Sequence, residues 1–314
     1  MPFGSVKLND GNELPAIGFG TGTALRDKDA APYIAQAIET GFSHIDTAQI
    51  YNNEESVGVA IRESALPRSD LYITTKYGYG PIQETVRTSL GKLGLKQLDL
   101  YLIHHPRNVG FEFERSWKEF EKIKEDGLSR SIGVSNFNLE QLQSLVKTAT
   151  IIPAVNQIAF HPYNYAENKG LLEYAAKHRI VIEAYSSLTP ITKFPGGAVD
   201  GPINAAAKRR GVAPTQVILA WVKAKGVVIV TTSSSKQHLE QYLAVADIPP
   251  LTKEEIAAID EAGAKGPPRT ASQKAGRAAS LALALAVSIA ITVGIHTSFQ
   301  SPFQVRNLHL IRFI

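Results

Sequence analysis

Leu71-Tyr-Ile-Thr-Thr-Lys76 and Leu98-Asp-Leu-Tyr-Leu-Ile-His104 are two short, near-continuous apolar runs, and residues 81–93 between them carry apolar side chains at helical spacing. Strands that are apolar on both faces, joined by a helix, are what a parallel sheet requires. Each run closes on a residue able to do chemistry, Lys76 in one and His104 in the other.

The same alternation extends in both directions. Strand candidates lie at 16–21, 43–46, 71–76, 98–104, 130–136, 154–159, 181–187 and 227–233. Helical patterns fall near 29–40, 54–64, 81–93, 112–126, 138–148, 168–178, 203–226 and 236–244, with an extra one at 252–262. Asn138 and Thr252 stand where helix caps belong, Glu255 completes a capping box, and Pro214 suits a first-turn position. Ahead of these units, Val6-Lys-Leu-Asn-Asp-Gly-Asn-Glu-Leu14 reads as a hairpin turning at Asp-Gly.

Eight strand–helix units predict an α/β fold of the (β/α)8 barrel type with an N-terminal β-hairpin. The rival, a doubly wound open sheet, wants a Gly-x-Gly-x-x-Gly turn after an early strand and an acidic residue some way beyond it. Gly18-Phe-Gly20-Thr-Gly22 lacks the third glycine, and no acidic residue closes the next strand in that role. A sugar-phosphate barrel is disfavoured too, because 188–192 and 232–235 contain no glycine for a phosphate loop.

At 314 residues and 44% hydrophobic composition the chain can bury a large core. It has no cysteine, which excludes disulfides, cysteine-ligated zinc and thiol nucleophiles. Six of its 33 Lys/Arg residues follow residue 264, where there is no Asp or Glu; without them 27 basic residues face 29 acidic ones. The net charge of +4 therefore belongs to the tail, and nothing indicates a nucleic-acid partner. The N-terminus lacks the apolar run of a secretory signal, so a cytoplasmic barrel is expected.

In such barrels chemistry gathers at the C-terminal ends of the strands. Asp46, Lys76, His104, Ser135, Asn136, Gln157, Tyr185, Thr232 and Ser233 all fall there, with Tyr51 just beyond Asp46. Taken singly, an Asp-Thr pair caps helices, a lysine after Thr-Thr faces solvent, and a histidine sits satisfied in a core. Gathered on one rim in this order they suit carbonyl chemistry: a tyrosine to give the proton, a lysine to lower its pKa, an aspartate to hold the lysine and a histidine to shape the pocket.

The stretches Gly41-Phe-Ser-His-Ile-Asp-Thr-Ala-Gln-Ile-Tyr51-Asn-Asn-Glu-Glu, Ile73-Thr-Thr-Lys76, Asp99-Leu-Tyr-Leu-Ile-His104-His-Pro106, Ile132-Gly-Val-Ser-Asn-Phe137 and Val155-Asn-Gln157 resemble the aldo-keto reductase superfamily over roughly residues 5–263. The resemblance implies hydride transfer from a reduced nicotinamide to an aldehyde or ketone, without a metal. It makes Tyr51 the general acid, tuned by Lys76 and Asp46, with His104 orienting the carbonyl. Ser135, Asn136 and Gln157 would hold the carboxamide and Tyr185 would stack on the ring. Gly20, Thr21, Asp46, Ser186, Leu188, Thr232, Ser233, Ser234 and His238 would complete the cofactor site.

Departures from the family pattern carry information. Where many animal members place bulky tryptophans around the substrate, this chain has Gly22, Gly78 and His105, which predicts a more open and more polar pocket. In the run Val230-Thr-Thr-Ser-Ser-Ser-Lys236-Gln-His238, Thr232 takes the place of a lysine and His238 that of an arginine that bind the 2′-phosphate of NADPH in other members. The serine hydroxyls, Lys236 and a helix N-terminus still suit a phosphate, so NADPH is expected ahead of NADH. The run is similar to that of fungal members that reduce conjugated polyketones and α-keto amides. A monomer or weak dimer is the family expectation, the monomer ahead. The competing function is a nicotinamide-binding regulatory subunit that senses redox state with little turnover.

The family pattern ends at 263. Residues 264–277 read as a basic linker, 278–295 as 18 uncharged residues, and 296–314 as a C-terminal tail. A helix over 278–295 would be about 27 Å long, near the hydrocarbon thickness of a bilayer. Four basic residues precede it, which would keep the barrel cytosolic, and a helix packed on the barrel is the alternative.

Overall fold

The two runs quoted first are adjacent parallel strands of a closed barrel. In the computed structural model, which describes residues 3–110 and 112–268, the hairpin strands β1 (Ser5–Lys7) and β2 (Glu13–Pro15) precede eight strand–helix repeats. The first half of the barrel is β3 (Ile17–Gly20), α1 (Ala31–Thr40), β4 (His44–Asp46), α2 (Glu54–Glu63), β5 (Tyr72–Tyr77), α3 (Ile82–Leu93), β6 (Leu98–Ile103) and α4 (Phe113–Glu125). The second is β7 (Ser129–Ser135), α5 (Leu139–Thr148), β8 (Val155–Ala159), α6 (Tyr165–Lys177), β9 (Val181–Tyr185), the short α7 (Thr189–Thr192), α8 (Asp200–Arg210), α9 (Pro214–Ala224), β10 (Val228–Thr231) and α10 (Lys236–Leu243). A last helix, α11 (Lys253–Ala264), follows. Strands β3 to β10 pair in parallel in chain order, and β10 closes the ring against β3.

Two apolar layers hold this arrangement. Ile45, Ile73, Tyr101, Ile103, Ile132 and Val134 point out from the strands into the layer under the helices. Tyr72, Leu100, Leu102, Val155 and Val228 fill the barrel, together with Leu8 and Leu14 of the hairpin. The hairpin therefore plugs one end of the barrel, and its hydrophobic side chains become part of the interior.

Period-two alternation decides which side chains enter the barrel. Along β4, His44 and Asp46 turn inward while Ile45 turns out, and along β5, Thr74 and Lys76 share the inward face. Pairing of Asp46 with Thr74 and of Gln157 with Glu183 then sets these polar residues beside one another.

The capping boxes at Asn138–Gln141 and Thr252–Glu255 are both formed. The single helical pattern expected at 203–226 is two helices, because Gly211 takes a left-handed φ of 67° and ends α8. Glu255 accepts from Arg210 Nε at 3.0 Å and ties α11 to α8; the guanidinium holds its pKa down at about 2. Most of the basic linker, the candidate membrane span at 278–295 and the tail lie outside the described residues. Among the described residues no helix is long and apolar enough to cross a membrane.

Candidate active site

Lys76 is fully buried, and its ammonium donates to Asp46 Oδ1 at 2.5 Å and to the Thr47 carbonyl at 3.0 Å. Burial, the largest influence, would lower its pKa; the surrounding acidic groups, Asp46 foremost and then Tyr51 and Glu183, together reverse that, and the ammonium is raised overall. The other Asp46 oxygen accepts from Gln157 Nε2 at 2.8 Å. Lys76 Nζ lies 5.3 Å from the centre of the Tyr51 ring. The Tyr51 hydroxyl is 3.4 Å from His104 Nε2, the two rings meeting edge to face at 5.3 Å between centroids. Asp46, Tyr51, Lys76 and His104, from three consecutive strand ends, thus form one cluster at the rim.

Two effects oppose each other at Tyr51. Lys76 does lower its pKa as expected, but burial outweighs the lysine and the phenol is raised above its ordinary value. It is therefore a weaker acid held firmly in its protonated form, with Lys76 limiting the rise. His104 is pushed down to about 3, first by burial and then by the Lys76 charge, so its imidazole is neutral at physiological pH. Asn136 Nδ2 donates to the His104 carbonyl at 2.9 Å and fixes the backbone there.

Ser135, Asn136, Gln157 and Tyr185 line the rim beside the cluster. Asn136 has a left-handed φ of 63°, accepts from the Tyr185 hydroxyl at 2.7 Å and donates to Ser135 Oγ at 3.0 Å. Ser135 Oγ in turn donates to the Gln157 carbonyl at 2.8 Å. This set of neutral amides, a hydroxyl and a half-buried aromatic ring fits a flat ring bearing a carboxamide. Ser186, with φ 57°, is exposed, and Leu188 immediately precedes α7.

Other candidates are spent differently. Thr21 is fully buried, with its hydroxyl on Asn53 Oδ1 at 3.2 Å and its amide on the Asp46 carbonyl at 2.8 Å, so it braces the loop. Gly20 keeps β3 close to β10: a Cβ there would lie 3.2 Å from Val230 Cγ1. His105 Nδ1 accepts from the Arg107 amide at 3.2 Å and caps the short turn that follows. Nor do the glycines leave free space. A Cβ on Gly22 would come within 2.9 Å of Tyr51 Cζ, and one on Gly78 within 2.3 Å of Ile50 Cγ2. Tyr51 and Ile50 thus lie directly against these two glycines.

Thr232, Ser233, Ser234 and His238 form a second group where β10 gives way to α10. Ser235 caps the helix by accepting from the His238 amide at 3.4 Å, and Ser233 Oγ lies 3.3 Å from His238 Nδ1.

Three positions escaped sequence reasoning. Asn53 is the buried hub of the loop after β4, donating to the carbonyls of Thr21 and Leu25 at 2.8 and 2.9 Å. His44 and Glu183 lie beneath the tetrad inside the barrel, wholly buried. A single acidic residue within the apolar run Val181-Ile-Glu-Ala-Tyr185 was the available signal for Glu183.

Comparison with known proteins gives a consistent result. The sequence pattern of the Aldo/keto reductase family matches residues 13–192 and 198–264. An aldo-keto reductase of a Mycobacterium species (strain MCS) is 40% identical over 262 residues, 82% of this chain and 89% of its own. An NAD/NADP-dependent indole-3-acetaldehyde reductase of Schizosaccharomyces pombe is 38% identical over 245 residues, 74% of this chain and 86% of its own. Among solved structures, a Bombyx mori aldo-keto reductase in complex with NADP superposes with a TM-score of 0.74 at 32% identity, covering 82% of this chain and 92% of the other.

Proposed function

The chain belongs to the aldo/keto reductase family, whose members reduce carbonyls with NAD(P)H, and from that premise we propose that it turns aldehydes and ketones into alcohols with Tyr51 as the proton donor and NADPH as the preferred cofactor. The observation that carries this reading is the Tyr51 hydroxyl facing His104 Nε2 at 3.4 Å, with the Lys76–Asp46 pair buried behind it.

A reduced nicotinamide bound at the rim supplies the hydride. The protein's own task is to place the carbonyl oxygen and to deliver a proton to the alkoxide as it forms. Tyr51 is the suitable donor: burial keeps its phenol protonated at neutral pH, and Lys76 stands near enough to ease the negative charge left on the oxygen. A neutral His104 is too weak an acid for the task, but its Nε2–H can hold the same oxygen. Ser135, Asn136 and Gln157 would hold the carboxamide, and the Tyr185 ring would lie against the nicotinamide. All four tetrad residues come from one chain, which supports a monomeric catalyst. The intact tetrad also weighs against the redox-sensing alternative, since a sensor has no use for a poised acid.

The preference for NADPH rests on the start of α10, where Ser233, Ser235, Lys236 and the helix N-terminus suit a 2′-phosphate. Histidine rather than arginine at 238 weakens that site, so NADH is tolerated. The relative in S. pombe is named as both NAD- and NADP-dependent, which agrees. 1,2-Dicarbonyls are included in the substrate range: a relative 36% identical over 260 residues is a methylglyoxal reductase of Yersinia pestis.

The test is oxidation of NADPH and NADH with an aromatic aldehyde, an aliphatic aldehyde and an α-diketone, by the wild type and by Tyr51→Phe. Turnover is expected in the wild type, with a loss of about 10²-fold or more in the variant and unchanged NADPH affinity. Turnover retained by Tyr51→Phe would remove the tyrosine from the role of acid.

A further inference from the structure

Glu183 and His44 have no part in the reaction as derived above, yet both lie wholly inside the barrel beneath it. Gln157 Nε2 donates to two carboxyl groups at once, to Asp46 Oδ2 at 2.8 Å and to Glu183 Oε2 at 3.1 Å. Glu183 Oε1 and His44 Nδ1 are buried polar atoms without hydrogen-bond partners among the described residues, and they lie 4.0 Å from each other. The far side of the imidazole is engaged, with Nε2 2.9 Å from Thr74 Oγ1. Facing Glu183 are His44 and Asp46 from β4, Tyr72 and Lys76 from β5 and Gln157 from β8; on β10 the residue opposite is Val228.

Charge balance decides the state of this group. Two ionised carboxylates would share a single cation, Lys76, in an interior that penalises net charge. Asp46 has the ammonium at 2.5 Å, whereas Glu183 has only the amide of Gln157. Glu183 is therefore the carboxyl group that keeps its proton. The imidazole is neutral, because burial lowers His44 to about 4. With its hydrogen on Nε2 toward Thr74, its bare Nδ1 faces Glu183 Oε1. A proton on Oε1 gives both orphaned atoms a partner across a gap that a small movement closes.

We propose that Glu183 is a positioning residue of the active site: a neutral carboxylic acid whose Oε1–H is directed at His44 Nδ1 and whose Oε2 holds the Gln157 amide against Asp46. The proposal rests on the reading of the rim as a reductase site. It explains how Gln157 is oriented, since its nitrogen is committed to two carboxyl groups at once. It also leaves Asp46 as the sole anion matched to Lys76. Burial, and then the Asp46 charge, raise Glu183 to about 8, so ionisation above that value adds a second negative charge beneath the tetrad. That charge holds the ammonium more tightly, raises the Tyr51 phenol further and weakens it as an acid.

The test uses the full chain and the near-isosteric Glu183→Gln, which can still accept from Gln157 and donate toward His44 but has no proton to lose. Infrared difference spectra between near-neutral and alkaline pH should show, in the wild type, the loss of a carboxylic-acid C=O band that Glu183→Gln lacks at either pH. In parallel, kcat/KM for an aromatic aldehyde with NADPH should fall about threefold or more as pH rises through about 8 in the wild type, and stay level across that range in the variant. Absence of the band in the wild type, or the same alkaline fall in Glu183→Gln, overturns the proposal. The infrared arm needs no turnover, and absence of the band in the wild type is decisive without the variant. If no carbonyl is reduced the reductase reading fails, while the band still decides whether Glu183 holds a proton.

Discussion

The Tyr51 hydroxyl and His104 Nε2 lie 3.4 Å apart, and each group is displaced away from its charged form: the phenol is raised and the imidazole lowered to about 3, both chiefly by burial. A carbonyl oxygen placed between them meets two neutral N–H or O–H donors and the field of Lys76 behind. The pair is preorganised for an oxygen that becomes negative during reaction.

One consequence concerns the acid side of the pH profile. A histidine of ordinary pKa would give kcat/KM an inflection near pH 6.5. His104 stays neutral well below that, so kcat/KM for reduction should be level from about pH 7 to pH 5. Replacing His104 by Gln, which keeps a donor, should cost rate through carbonyl placement and leave the profile level. An inflection near pH 6.5 that disappears in His104→Gln would show that the imidazole does ionise.

The Lys76–Asp46 pair makes a second prediction, because a buried ion pair behaves differently when broken and when removed whole. Asp46→Asn leaves a buried ammonium without its anion and should destabilise the fold by about 3–5 kcal/mol. The double change Asp46→Asn with Lys76→Met removes both charges and should recover much of that loss, read as the urea midpoint. Activity should not recover, since the charge that eases the phenolate is gone. Equal stability of single and double variants would mean that solvent reaches the ammonium.

Stability against pH follows from the buried groups. His44 and His161 are lowered by burial to about 4 and His104 to about 3, whereas in the unfolded chain each takes up a proton near 6.5. Between those values the unfolded state binds more protons, so stability is lost as pH falls from 6.5 toward 4. Glu183 works in the opposite sense: raised to about 8 from 4.5, it keeps a proton that the unfolded chain releases, and stability is lost as pH rises from 4.5 to 8. Three histidines outweigh one glutamate below 6.5, and above it the glutamate acts alone. Thermal unfolding should therefore show a maximum of Tm near pH 6.5, and the unfolding free energy should fall by about 2 kcal/mol between there and pH 8. Glu183→Gln should abolish the alkaline fall while leaving the acid one in place.

The barrel was legible because its strands are apolar on both faces and end in polar residues, a pattern that Lys76 and His104 carry almost by themselves. Tyr51, Lys76, Asp46 and His104 were legible for the same reason, since a strand end determines which rim a side chain occupies. The direction of the Tyr51 shift was not, because burial depends on how the loop after β4 folds back over the barrel, and Asn53, which holds that loop, looks in sequence like any polar helix-start residue. Glu183 depends on register: only the pairing of β8 with β9 sets it beside Gln157. The close neighbours of the two glycines were equally hidden: Tyr51 lies against Gly22 and Ile50 against Gly78. The loops, and not the glycines themselves, decide what fills the place beside Gly22 and Gly78.

That last point can be tested directly, because the two glycines face different neighbours. A methyl group at Gly78 would meet Ile50 Cγ2 at 2.3 Å, a branched side chain held in the loop beside the acid. Gly78→Ala should cost about 1–3 kcal/mol through overpacking, and Ile50→Ala in the same chain should relieve it, because the opposing methyl is then absent. At Gly22 the neighbour is the Tyr51 ring itself, 2.9 Å from the new carbon. Gly22→Ala should displace the phenol from His104 and lower kcat with little change in NADPH affinity, and no second substitution at Ile50 should restore it. If Gly22→Ala keeps full kcat, the ring has room to shift without losing its aim, and the contact between Gly22 and Tyr51 shapes the loop without positioning the acid.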